Sequence, residues 1–163
     1  MIKEGCLKGV DEVYGLHNFP DFDEGDIRVC SGPFMAAFTG VHIKIKGQGG
    51  HGSIPHRIQD VISCATQIFQ ALHTIKSRSI ESRQDIVFVM CKVKAGHTYN
   101  VFPDEALMSG AIRSYDEATL DKMIQRIKTI SVNIAKGMKC KVELDIQKEC
   151  AAVVNHVTES DHI

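Results

Sequence analysis

Apolar and polar side chains alternate cleanly through residues 38–46, FTGVHIKIK. Val41, Ile43 and Ile45 fall on one side, His42, Lys44 and Lys46 on the other. A period of two with one apolar face predicts a half-buried β-strand. The pattern then turns helical. Ile58, Val61, Ile62, Ala65, Ile68, Phe69, Leu72 and Ile75 recur at intervals of three and four, which predicts an amphipathic helix over 57–77. Residues 86–94, IVFVMCKVK, are β-branched and apolar and predict a second strand. A loop follows over 96–104, with Pro103 near its end, and then a third strand over 105–114. Ser114 and Glu117 have the spacing of a capping box. They introduce a second helix striped by Leu120, Met123, Ile124, Ile127, Ile130 and Ile134. Gly137 is expected to end that helix in the left-handed conformation. Residues 140–146, CKVELDI, alternate again and predict a fourth strand.

The order is β-α-β-β-α-β. Four strands with one apolar face each and two helices with one apolar stripe each are buried most simply in two layers. Both helices then cover one face of an antiparallel sheet. The expected fold is α+β, a ferredoxin-like two-layer sandwich over residues 36–148. The flanks, 1–35 and 149–163, are left without a core of their own. In the first flank, VDEVYGLHNF at 10–19 looks like a short strand ending in a turn at Asn18, and 20–35 is a Pro-, Gly- and Asp-rich connector. A four-stranded sheet has open edges, and edge-to-edge pairing would make a homodimer.

Composition narrows the partners. With 19 basic and 20 acidic residues the net charge is -1, and no run of like charges stands out. Neither nucleic acid nor an anionic membrane surface is therefore expected as a partner. The apolar stretches fall far short of a bilayer span. Six cysteines, at 6, 30, 64, 91, 140 and 150, form no CxxC pair. Cys64, Cys91 and Cys140 fall on apolar positions, so buried free thiols in a reducing, cytoplasmic compartment are expected.

Among the histidines, His42 and His73 fall on surface positions, and His156 and His162 lie in the tail. His51 is different. It sits in GQGGHGSIPH, where glycines allow close backbone approach and the following helix N-terminus favours negative charge. Its imidazole could bind an oxyanion, or simply be solvated. His56 opens the helix as a turn residue. His17, in GLHNFP, ends the strand-like run, a common place for a metal ligand, but one histidine is not a metal site. Arg113 ends the third strand, where its fork could clasp a carboxylate or form a surface ion pair with Asp116 or Glu117. Asn100 is a polar ligand candidate or a turn residue before Val101. HExxH, GxSxG, P-loop and dinucleotide motifs are absent from the sequence.

Four phrases, taken in order and spacing, carry a resemblance: MIKEGCLKGVDEV at the start, VDEVYGLHNFP at 10–20, KGQGGHGSIPH at 46–56 and AGHTYNVFPDEALMSGAIR at 95–113. Together they resemble the metal-dependent peptidase and amidohydrolase family of aminoacylases, hippurate hydrolases and auxin-conjugate hydrolases. The resemblance implies that the β-α-β-β-α-β unit is the family's lid and dimerisation domain. It implies a homodimer, and a parent enzyme that cleaves the amide bond of N-acyl amino acids or related conjugates with water activated by two divalent ions, Zn or Mn. His17 matches a metal ligand. His51 matches a histidine that reaches the partner subunit's active site and binds the scissile oxygen. Asn100 and Arg113 match residues that hold the substrate and its carboxylate.

The family's Cys-Gly-His-Asp segment and paired glutamates, which include the general base, have no counterpart in the sequence. The chain is therefore expected to be the middle of a longer protein, to bind no metal stably and to be inactive alone. The alternatives are a non-catalytic dimerising module derived from the same family and an unrelated ferredoxin-like binding domain.

Overall fold

The strand expected over 38–46 needs a neighbour on each side to satisfy its backbone, and it has both. In the computed structural model, which describes residues 2–163, strand β2 (Ala37–Lys46) is flanked by two antiparallel strands. One is β6 (Glu105–Ser114), in register Ala37↔Ser114 to Lys46↔Glu105. The other is β7 (Lys141–Cys150). Strand β4 (Ile86–Ala95) pairs with the far side of β6, so the order is β4-β6-β2-β7. Short helix α2 (Ile75–Ser79) follows α1 (Val61–His73) before β4, and α3 (Glu117–Gly137) crosses from β6 to β7.

The core lies between the long helices and one face of the sheet. Val41, Ile43, Ile45, Met108 and Ile112 from the strands meet Val61, Ile68, Leu72, Met123 and Ile127 from the helices, all essentially inaccessible to solvent. Each such side chain contributes about 1.5–3 kcal/mol relative to exposure. The opposite sheet face carries His42, Lys44 and Lys46. There Lys44 pairs with Glu105 at 2.7 Å and Lys46 with Glu143 at 2.6 Å. Exposed pairs of this kind contribute at most about 1 kcal/mol.

Several local expectations are corrected. The helix expected over 57–77 is broken. Pro55–Arg57 form a separate 3-10 turn, and α1 starts at Val61, where the Asp60 side chain accepts from the N–H groups of Ile62 and Ser63. A side-chain acceptor at Asp60 satisfies donors that Ile58 cannot, so the stripe overstates the helix by a turn. The capping box is displaced in the same way. Asp116, not Ser114, caps α3, accepting from Thr119 N–H at 2.6 Å, while Ser114 Oγ bonds Asp116. Gly137 remains helical, and the left-handed residue is Lys139, with φ 59°. The loop at 96–104 contains a two-residue strand, β5 (Val101–Phe102), paired with β3 (Gly50–His51). Cys64 and Cys140 are buried, but Cys91 is exposed, at a bulge between Met90 and Lys92 that turns it out of the ladder.

Residues 35–153 form one compact unit, and residues 2–34 with 154–163 form another. In the second, β1 (Gly32–Met35) pairs with β8 (Val153–Asn155), and Asn155 Nδ2 donates to Cys30 O at 3.0 Å. None of residues 2–31 is buried. The strand expected at 10–19 does not form, and Val10, Val13 and Leu16 are exposed. An extended run gains no ladder hydrogen bonds without a neighbouring strand.

Candidate functional site

The glycine-rich segment after β2 is built against the loop before β6. Gly47 N–H donates to Asp104 O at 2.8 Å, Gly49 N–H to Asp104 Oδ1 at 2.8 Å, and Gly52 N–H to Asn100 O at 2.9 Å. Three of the glycines are there because nothing else fits: a Cβ on Gly47 would lie 2.6 Å from Gln59 O. A Cβ on Gly49 would lie 2.1 Å from Phe102 O, and one on Gly52 would lie 2.9 Å from Asn100 O. Close backbone contact is thus the reason for the sequence GQGGHG. It sets His51 opposite Val101 and Gly52 against Asn100, at one end of the sheet.

His51 is exposed, and its protonation pattern follows from its neighbours. Ser53 N–H donates to Nδ1 at 3.2 Å, and Ser53 Oγ lies 2.8 Å from the same nitrogen. A backbone N–H can only donate, so Nδ1 is the acceptor and the neutral ring carries its proton on Nε2. The free nitrogen is therefore a hydrogen-bond donor. On Asn100, Oδ1 accepts from Thr98 Oγ at 3.0 Å, which orients the Nδ2 donors away from that contact. Ser53, Thr98 and Asp104 were not singled out from the sequence. Ser53, two residues after the histidine in HGS, carries the one signal that could have found it, the habit of serine to bond a nearby loop group.

The anion-favouring helix end expected just after His51 is not there. The first turn of α1 begins at Val61, with its N–H groups taken by Asp60. A donor role for the site rests on the imidazole and the amide instead.

Arg113 lies at the other end of β6. Eight residue steps separate it from Glu105, roughly 26 Å at about 3.3 Å each. Its guanidinium stacks over the Phe38 ring at 4.9 Å. The ion pair weighed from sequence is not formed: Glu117 binds Lys148 at 2.9 Å, and Asp116 caps α3. Within this unit His51 and Asn100 are brought together, and Arg113 is held apart from them. A cavity of about 520 Å³ under the 96–104 loop is lined by residues such as His97, Phe102 and Asp104, and by none of these three.

His17 belongs to the other unit. It is exposed, its Nδ1 donates to Asn18 O at 2.7 Å, and its ring sits 5.0 Å from Phe19. Among the described residues no three His, Cys, Asp or Glu side chains converge as a metal site. One imidazole does not fit a two-ion centre, which needs several ligands per ion. Of the thiols, Cys64 is pushed up to about 12 by burial, with Cys140 beside it adding to the rise. Burial raises Cys140 as well.

Comparison with known proteins gives this geometry a context. Residues 37–139 match the family model described as the peptidase dimerisation domain. The chain is 36% identical over 143 residues to an N-acetylcysteine deacetylase of Bacillus subtilis, covering 88% of this chain and 38% of that protein. It is 31% identical over 156 residues to an N-acyl-L-amino acid amidohydrolase of Geobacillus stearothermophilus, covering 96% and 42%. A Bacillus subtilis crystal structure, described as a dinuclear metal-binding peptidase of the M20 family, superposes with a TM-score of 0.72 at 29% identity, covering 98% and 39%. The chain thus spans about two fifths of the length of each. No helix among the described residues is long and apolar enough to cross a membrane.

Proposed function

This chain belongs to the M20 peptidase dimerisation-domain family, and on that premise we propose that it is the lid and dimerisation part of a metal-dependent amidohydrolase. The parent substrate is an N-acyl amino acid or a related conjugate, the substrate class in the names of the deacetylase and amidohydrolase relatives. Residues 36–148 are the lid; 1–35 and 149–163 belong to the catalytic domain. The observation that carries the reading is the His51 ring, with Nδ1 occupied by Ser53 and an Nε2–H left to donate.

Amide hydrolysis places negative charge on the carbonyl oxygen as water adds, and a fixed N–H donor aimed at that oxygen stabilises the transition state. His51 supplies this donor, and the Asn100 amide a second. Arg113 clasps the carboxylate of the amino-acid part with its planar fork. The roughly 26 Å between Arg113 and the His51 end of the sheet is far longer than a small N-acyl amino acid. One chain cannot present both to one substrate, so a site using all three residues takes them from two copies. His17 is assigned to the metal centre as one ligand. Its partners, and the group that activates water, are assigned to the parent outside this chain. The 163-residue chain is expected to be inactive alone, and turnover of acetylated amino acids with Zn²⁺ or Mn²⁺ that His17→Ala abolishes would contradict this.

Complementation tests the shared site. In the full-length parent, His51→Ala and Arg113→Ala are each expected to be nearly inactive. Mixed and allowed to exchange subunits, they should regain about a quarter of the wild-type activity, because half the dimers are mixed and each of those holds one intact site. Activity no greater than the sum of the two variants would remove the shared-site reading.

A further inference from the structure

The polar face of β2 breaks its own pattern at one end. Gly40, His42, Lys44 and Lys46 fall on that face and are small, polar or charged. Phe38 falls on the same side and is half-buried there. An aromatic ring in a polar row is out of step with the alternation that builds the strand. Its partner is Arg113. The two residues stand opposite each other in the β2–β6 ladder, on the two central strands of the sheet. The guanidinium carbon lies 4.9 Å from the ring centroid, inside the limit of about 6 Å for a cation–π contact. The pairing with β7 slips at the same place. Phe38 faces Cys150 and Thr39 faces Lys148, so Glu149 is the extra residue of a bulge, and bulges re-aim the side chains beside them. Glu149 is turned over Gly40, where a Cβ would lie 3.1 Å from its Oε1. Asp116 caps α3 and Glu117 binds Lys148. Among the described residues, then, Arg113 is held by a ring and by no carboxylate.

We infer that Phe38 is the positioning residue for Arg113, its ring holding the guanidinium fork in place with the donors left free for a substrate carboxylate. This rests on the assignment of Arg113 as the carboxylate clasp and adds what keeps the clasp in position. The reason lies in the shape of the guanidinium. Its N–H donors lie in its plane and point out from its edge, whereas a stacked ring covers only its face. An acidic neighbour would occupy the donors that the substrate must use; an aromatic neighbour leaves them open. The stack also restricts a long side chain before the substrate arrives, so less rotamer freedom is lost on binding. Both backbones are paired on each side, which fixes ring and fork on rigid strands. Phe38 acts through Arg113 and not on the reacting bond.

The experiment compares two substrates in the full-length parent, an N-acetyl amino acid and its carboxamide, which keeps the scissile amide and lacks the carboxylate. Phe38→Leu keeps an apolar side chain and loses the aromatic face. On the acid it is expected to lower kcat/KM about fivefold, mainly through KM, and on the carboxamide to stay within about twofold. Phe38→Tyr retains the ring and should stay within about twofold of wild type on both. Arg113→Ala tests the clasp itself and should lower activity on the acid far more than on the carboxamide. A second measurement needs neither turnover nor a variant. In the 163-residue chain the Arg113 Nε–H proton, lying over the ring, should resonate upfield of its ordinary position. If Arg113→Ala lowers both substrates alike, the clasp fails and the positioning role with it. If Arg113→Ala discriminates between them but Phe38→Leu changes neither, or lowers both alike, the clasp stands and the positioning role is overturned. An Nε–H proton at its ordinary shift in the wild-type chain overturns the positioning role as well.

Discussion

Gly49→Ala should dislocate the His51 loop without touching the core. The new Cβ would stand 2.1 Å from Phe102 O, 2.8 Å from Pro103 C and 3.0 Å from Phe102 C, all backbone atoms. A carbon-to-oxygen contact relaxes at about 3.3 Å, so β5 must retreat by more than an ångström. Three hydrogen bonds span that gap, from Gly47, Gly49 and Gly52 to Asp104 and Asn100. At about 1 kcal/mol each, their loss costs roughly 2–3 kcal/mol. For a chain of this length that lowers Tm by about 4–12 °C. Gly137→Ala is the matched control: a Cβ there meets nothing within 4 Å, and in a helix it should stabilise by about 0.5–1 kcal/mol. Thermal melts give the sign of each effect, and amide exchange of Gly47 and Gly52 locates it. If Gly49→Ala melts with the wild type and those amides stay protected, the close-approach argument fails.

Ser53→Ala should leave the single Nε2–H form of His51 in place, because the backbone N–H of residue 53 still donates to Nδ1; ring ¹⁵N shifts that report a mixture of tautomers would mean that the Ser53 hydroxyl, and not the backbone, fixes the ring. Acid should weaken α3 through Asp116. Bonds from Thr119 to its charged form hold its pKa below the usual carboxylate value, so the unfolded chain takes up the proton first. The cap's contribution is then complete above the unfolded pKa and lost as pH falls through the folded one, and Asp116→Asn should flatten the urea midpoint between about pH 6 and pH 3. Cys64 and Cys140, buried and with raised pKa values, should resist a thiol reagent until the chain unfolds, whereas Cys6, Cys30 and Cys150 react at once; early reaction of Cys64 would contradict its burial.

Periodicity alone determined the layer architecture. Residues 38–46 and 140–146 alternate because one face meets helices and the other water, and a pattern of that length leaves little choice of structure. The helix stripes determined which faces are buried, since Val61, Ile68, Leu72, Met123 and Ile127 lie at helical spacing. Element ends were less legible. Ile58 extends the stripe, but the side-chain acceptor that starts α1 is Asp60, and the same competition moved the α3 cap from Ser114 to Asp116. The glycines around His51 marked a close approach, but what they approach is set by residues some fifty positions later, Asn100, Phe102 and Asp104. Only the tertiary structure decided the donor on His51, because Ser53 must fold back to occupy Nδ1. It also decided that His51 and Asn100 sit together while Arg113 stands a strand's length away. Sequence order measures distance along the chain, whereas register and sheet order fix it in space.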